Sequence, residues 1–102
     1  MTALIDLIAT DAVEPDTPTL VEAQGLSVVI YRVEDRFYVT DDACTHGPGR
    51  LSDGELRGHE IECDFHQGCF DIRTGAVTEP PCIIPIRVYP VTVRDGRVLI
   101  EA

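Results

Sequence analysis

Apolar positions fall in short runs separated by turn residues. ALIDLI (3–8) is apolar enough for a first strand, and DAVEPDTP (11–18) is a proline-bearing loop. SVVIYRV (27–33) and RFYVT (36–40) are rich in β-branched and aromatic residues and flank only Glu34 and Asp35, which predicts a β-hairpin. Near the C-terminus IRVYPVTV (86–93) and RVLI (97–100) flank RDG, where Asp95-Gly96 is a strong two-residue hairpin signal. Pro90 cannot donate to a sheet ladder, so it implies an edge position or a bulge.

Between these hairpins, residues 43–85 hold six of the eight glycines and four of the seven prolines, with only EIEC (60–63), CFDI (69–72) and CIIPI (82–86) as apolar runs. That stretch reads as loops on a small β frame. No segment sustains a 3.6-residue apolar period, and no repeat is present. The predicted class is all-β, a small antiparallel barrel or sandwich with a loop-rich insertion, and 102 residues suit one domain.

Composition narrows the function. No apolar run approaches the ~20 residues of a membrane helix. The opening MTALIDLIATDAVEPD lacks a basic start and a small-residue cleavage pattern, so the protein is expected in the cytoplasm. Eighteen acids stand against eight arginines, with no lysine, for a formal net charge of -10. Such a surface repels nucleic acid and anionic lipid and favours encounter with a basic patch.

In a reducing compartment, clustered cysteines more often bind metal than form disulfides. Cys44 and His46 are two residues apart, Cys63 and His66 three apart, and sixteen residues separate the pairs. The first spacing puts both side chains on one side of extended backbone and the second is that of a tight turn, so two facing turns bring four ligands together. Gly47, Gly49 and Gly68 give flexible backbone beside them, and Pro48 stiffens the first loop. Two thiolates and two imidazoles satisfy tetrahedral zinc. The alternating order Cys, His, Cys, His also suits a two-iron centre in which each loop gives a thiolate to one iron and an imidazole to the other.

The stretch resembles the Rieske signature, C-x-H, fifteen to seventeen residues, C-x-x-H. With the flanking CTHG, LSDG, IEC, GCFDIRTGAV and PP it looks like the soluble Rieske ferredoxins of bacterial ring-hydroxylating dioxygenase systems, over about residues 26–100. The resemblance implies a Rieske-type fold with a cluster-binding part at about 43–85. It implies one [2Fe–2S] cluster, with Cys44 and Cys63 on the buried iron and His46 and His66 on the iron nearer the surface. Respiratory Rieske proteins carry a disulfide between positions that match Gly49 and Phe65 here, and place Ser and Tyr hydroxyls where this chain has Gly68 and Phe70. Losing those donors leaves the reduced state less stabilised, so the expected potential is near the low end of the Rieske range, about -150 mV. Asp64 stands where the family usually has Pro, and Gln67 where Gly is common; Asp64 adds negative charge that lowers the potential or marks a docking surface.

The other candidates read mostly as structure. Cys69 and Cys82 are expected to be buried free thiols, with a mutual disulfide as the alternative. His59, in RGHE (57–60), suggests a solvated turn. Phe70 and Asp71 read as strand, Thr74-Gly75 as a turn, and Pro80-Pro81 as the loop covering the cluster in the resemblance. Asp53, Glu55, Glu60, Glu62 and Asp64 form either a solvated acidic face or a steering patch.

Once His46 and His66 are assigned, only His59 remains, too few for the two-His-one-carboxylate site of a mononuclear iron oxygenase. No GxGxxG fingerprint for a nucleotide cofactor is present. The expected function is therefore one-electron transfer without catalysis. As the resemblance implies, the chain would be reduced by a flavin-dependent NADH reductase and deliver to the Rieske centre of a terminal oxygenase; it is expected to be a monomer. The alternatives are a small Rieske subunit of an oxidase or nitrite reductase complex, and a zinc-binding interaction module.

Overall fold

A computed structural model describes residues 4–45, 49–64, 68–80 and 84–101. Among these, strands dominate and the only helices are two single 3₁₀ turns, Thr10–Ala12 and Leu51–Asp53. The all-β expectation holds. Eleven strands among the described residues form three antiparallel sheets.

The strands β2 (Thr19–Ala23), β3 (Leu26–Val33), β4 (Arg36–Asp41) and β9 (Val88–Tyr89) pair in that order. A second sheet runs β1 (Leu4–Ala9), β11 (Arg97–Glu101), β10 (Val91–Arg94). A third, made of three-residue strands, runs β5 (Glu55–Arg57), β6 (Glu60–Glu62), β7 (Cys69–Asp71), β8 (Val77–Glu79).

The first of these sheets lies between two cores, and strand periodicity is the reason. Successive side chains point to opposite faces. Along β3, Val28 and Ile30 enter a core with Ile5, Leu7, Val98 and Ile100, while Val29, Tyr31 and Val33 enter another with Leu51, Ile61, Phe70 and Ile72. The continuous apolar run VVIY (28–31) is what a strand buried on both faces requires. β4 repeats the division: Val39 faces the first core and Tyr38 the second, opposite Ile30 and Tyr31 respectively. Tyr31 keeps its hydroxyl satisfied deep in the fold by bonding Thr40 Oγ1 at 2.9 Å.

The hairpin between β3 and β4 turns at Glu34 and Asp35, both with positive φ (53° and 61°), as a two-residue type I′ turn requires. Asp95-Gly96 does the same between β10 and β11, with φ of 53° and 74°. A third such turn, Gln24-Gly25, joins β3 to β2, a strand that the sequence reading passes over. The stretch IRVYPVTV is two strands. β9 pairs with β4 and β10 with β11, each at the edge of its sheet, and the chain changes sheets at Pro90.

Candidate functional site

Antiparallel pairing flanks both cysteine-histidine segments, as an isolated bridge in the first and a strand ladder in the second. In the first, Ala43 bridges Arg50, and the Cys44 N–H donates to Gly49 O at 2.9 Å. In the second, Glu62 at the end of β6 pairs with Cys69 at the start of β7, and the Cys63 N–H donates to Gly68 O at 2.7 Å. The two frames match: each cysteine directly follows a paired residue, and its amide closes on the carbonyl of a glycine five residues later. The repeated C-x₄-G spacing, 44 to 49 and 63 to 68, was the sequence signal for this closure.

Cys44 and Cys63 belong to one buried core, 6% and 0% exposed, together with Val29, Leu51, Ile61, Phe70 and Ile72. His46 and His66 lie outside the described residues, as do Gly47, Pro48, Phe65, Gln67, Pro81 and Cys82. The form of cysteine that binds a metal is the thiolate. The donor set, two such cysteines each followed by a histidine two or three residues on, therefore fits a metal centre with thiolate on its buried side.

Hydrogen bonds fix the loops to the frame and to each other. Asp42, just ahead of the first loop, is 4% exposed. Its carboxylate accepts the Ser52 N–H at 2.9 Å and the Arg50 Nε at 2.9 Å, while its carbonyl accepts the Leu51 N–H at 2.8 Å. Burial pushes the Asp42 carboxyl up, but the bonds from Ser52 and the Arg50 guanidinium outweigh it and hold the group below the usual carboxylate range. The Arg50 N–H in turn donates to Asp64 Oδ1 in the second loop at 2.8 Å. Thr45 Oγ1 donates to Ile84 O at 2.7 Å and ties the first loop to the segment after the double proline.

Backbones approach closely around this frame. A Cβ on Gly54 would fall 1.8 Å from Glu62 O, and one on Gly75 would fall 2.1 Å from Ile86 O. Gly75 also has φ of +82° and accepts the Ile86 N–H at 2.9 Å, so the expected turn at Thr74-Gly75 doubles as a packing contact.

The remaining candidates are placed as follows. Cys69 is buried on β7, as expected, and burial, with Glu60 and Glu62 adding, pushes its thiol up. A thiol held protonated is a poor ligand. His59 sits on the β5–β6 turn but is half-buried, with its ring edge-on to Tyr38 at 5.5 Å and its carbonyl accepting the Ile72 N–H. The acids between the ligand pairs are partly engaged. Glu55 and Glu62 both pair with Arg57, and Glu60 accepts the Thr78 hydroxyl. Phe70, fully buried beside the two cysteines, brings no hydroxyl to that core.

The profile of the Rieske [2Fe–2S] domain matches residues 3–90. The ferredoxin component of the p-cumate 2,3-dioxygenase system of Pseudomonas putida is 44% identical over 103 residues, covering 99% of this chain and 87% of that protein. The structure of Sphingomonas yanoikuyae B1 ferredoxin is similar with a TM-score of 0.93 at 42% identity, over 98% of this chain and 99% of that one. A chain from the complex of reduced oxygenase and oxidized ferredoxin in carbazole 1,9a-dioxygenase gives a TM-score of 0.90 at 39% identity, over 96% and 92%.

Proposed function

Because the chain belongs to the Rieske [2Fe–2S] domain family, we propose that its one [2Fe–2S] cluster is held by Cys44 and Cys63 on one iron and by His46 and His66 on the other. When bound, such a cluster accepts and releases a single electron. The observation that carries the assignment is the matched pair of loops, each closed on a glycine carbonyl, with both cysteines in one buried core.

The chain's own residues hold and insulate. Leu51, Ile61 and Phe70 keep water from the thiolate side, and Asp42 with Arg50 anchors the first loop. An apolar surround without a Tyr hydroxyl at position 70 favours the oxidised state and supports a potential near -150 mV, the low end of the Rieske range.

The chain is an electron carrier, not a catalyst by itself. Relatives at 39–44% identity are ferredoxins, one named as a dioxygenase component and one solved in complex with its oxygenase. By extension this chain takes electrons from a flavin-dependent NADH reductase and passes them to the Rieske centre of a terminal aromatic-ring-hydroxylating oxygenase. Among the described residues, no helix is long and apolar enough to cross a membrane.

The test is direct. Purified protein should be red-brown, contain two irons and two sulfides per chain, and give an EPR signal on reduction. Cys44→Ser and Cys63→Ser should each abolish the colour, and His46→Ala and His66→Ala should do the same. A colourless protein with one zinc would overturn the assignment.

A further inference from the structure

The two ligand loops are separated by sixteen residues, yet among the described residues a hydrogen bond crosses from the base of one to the base of the other. The donor is the main-chain N–H of Arg50, one residue beyond the glycine that closes the first loop, and the acceptor is Oδ1 of Asp64, one residue beyond Cys63, at 2.8 Å. The donor is held from a second direction. Arg50 Nε donates to the buried carboxylate of Asp42, and the next two amides, Leu51 and Ser52, donate to the Asp42 carbonyl and carboxylate. Residues 50–52 thus form a fixed rail, and Asp64 ties the second loop to it. A carboxylate accepting from a backbone amide makes a stronger bond than a neutral acceptor does. The bond also shares the loop bases with the two cysteine closures, Cys44 to Gly49 and Cys63 to Gly68.

We propose that Asp64 is a positioning residue: its carboxylate clips the second ligand loop to the first and thereby holds Cys44 and Cys63 at a fixed separation. The inference rests on the cluster assignment above for its consequence, but the clip itself is a property of the polypeptide. Its effect is to slow opening of the loop pair, so its loss should show first in the lifetime of the bound iron. A role through charge alone makes a different prediction, because an amide side chain keeps an acceptor oxygen and removes the charge.

The experiment compares the iron-loaded wild type with Asp64→Asn and Asp64→Ala. Two quantities are followed: release of iron to a ferrous chelator, and amide hydrogen exchange in peptides covering residues 49–53, with peptides from β3 as an internal reference for global opening. In Asp64→Ala, exchange at residue 50 should accelerate about tenfold, the effect of one lost hydrogen bond, with β3 unchanged and iron release several-fold faster. Asp64→Asn should stay within about threefold of wild type in both. The proposal fails if Asp64→Ala leaves both quantities unchanged, or if the two variants depart equally, which would assign the effect to charge. If Asp64→Ala does not accumulate as folded protein, Asp64→Asn decides: near-wild-type protection at residue 50 upholds the clip, and full loss of protection overturns it. Failure of the cluster assignment is seen separately, as a wild-type protein without two irons and two sulfides; the exchange measurement still reads the clip in that case.

Discussion

Asp71 shows how one side chain can fasten a turn and carry a pH signature. Arg73 reaches back to it with Nε and a terminal guanidinium nitrogen at 3.1 and 2.9 Å, and the Arg73 N–H adds a bond of 2.8 Å. The guanidinium is the main influence and holds the Asp71 carboxyl below its usual range against the opposing pull of burial. A folded pKa below the unfolded value of about 3.9 means the stabilisation is full well above that pH and is lost as pH falls through the lower, folded value. Asp71→Asn should therefore cost on the order of 1 kcal/mol near neutrality, allowing for the exposed guanidinium, and progressively less below about pH 4. Urea midpoints of the two proteins from about pH 6 to pH 3 check this; a gap independent of pH sinks it. Asp42 is the more deeply buried carboxylate, and Asp42→Ala should cost about 2–3 kcal/mol by stranding the Ser52 amide and releasing Arg50, read as a lower urea midpoint. Cys44 and Cys63, which the structure buries in one core, were legible as candidates because their spacing and residue type single them out in the sequence. Asp64 was legible only as a charge, since its partner is a backbone amide fourteen residues away, and backbone donors leave no mark in sequence.

The hairpins at Glu34-Asp35 and Asp95-Gly96 were readable because a two-residue turn between β-rich runs is a local signal. β2 was not, because TLVEA is nowhere fully buried and shows no apolar alternation; it exists because Leu20 and Val21 lie opposite Val29 and Val28. The three-residue strands β5 and β8 were missed for a related reason. Each contributes a single apolar side chain, Leu56 or Val77, to the core and depends on its neighbour for register. The turn after β7 is where backbone geometry is least forgiving. Gly75→Ala meets both a positive φ and a carbonyl 2.1 Å from the new Cβ, whereas Gly58→Ala meets a positive φ (+60°) with open space. The first should cost about 2 kcal/mol or more and lower the melting temperature by roughly 10 °C, the second about 1 kcal/mol. Equal losses in a thermal scan would show that the Ile86 contact contributes nothing beyond the dihedral.

At the scale of the whole molecule the dominant fact is charge. Eighteen acids less eight arginines leave ten negative charges without a formal counterpart, and five of the arginines (32, 50, 57, 73 and 97) are already engaged in ion pairs with acids. The outward field is therefore negative even where local pairs form. A carrier that meets two partners in turn gains from such a field, because it raises the rate of encounter with a basic surface without requiring a tight complex that would slow release. Exposed charges are screened over about 10 Å at 0.1 M salt and about 3 Å at 1 M. Stopped-flow reduction of the chain by a partner reductase should accordingly slow with ionic strength, by about tenfold between roughly 0.05 and 0.5 M sodium chloride, within the range over which steering acts. Neutralising two exposed acids of the segment after β1, Asp11→Asn with Glu14→Gln, should flatten the dependence slightly and leave the high-salt rate unchanged. A rate indifferent to salt would place recognition in apolar contact, and a rate that rises with salt would mean that like charges face each other at the docking surface.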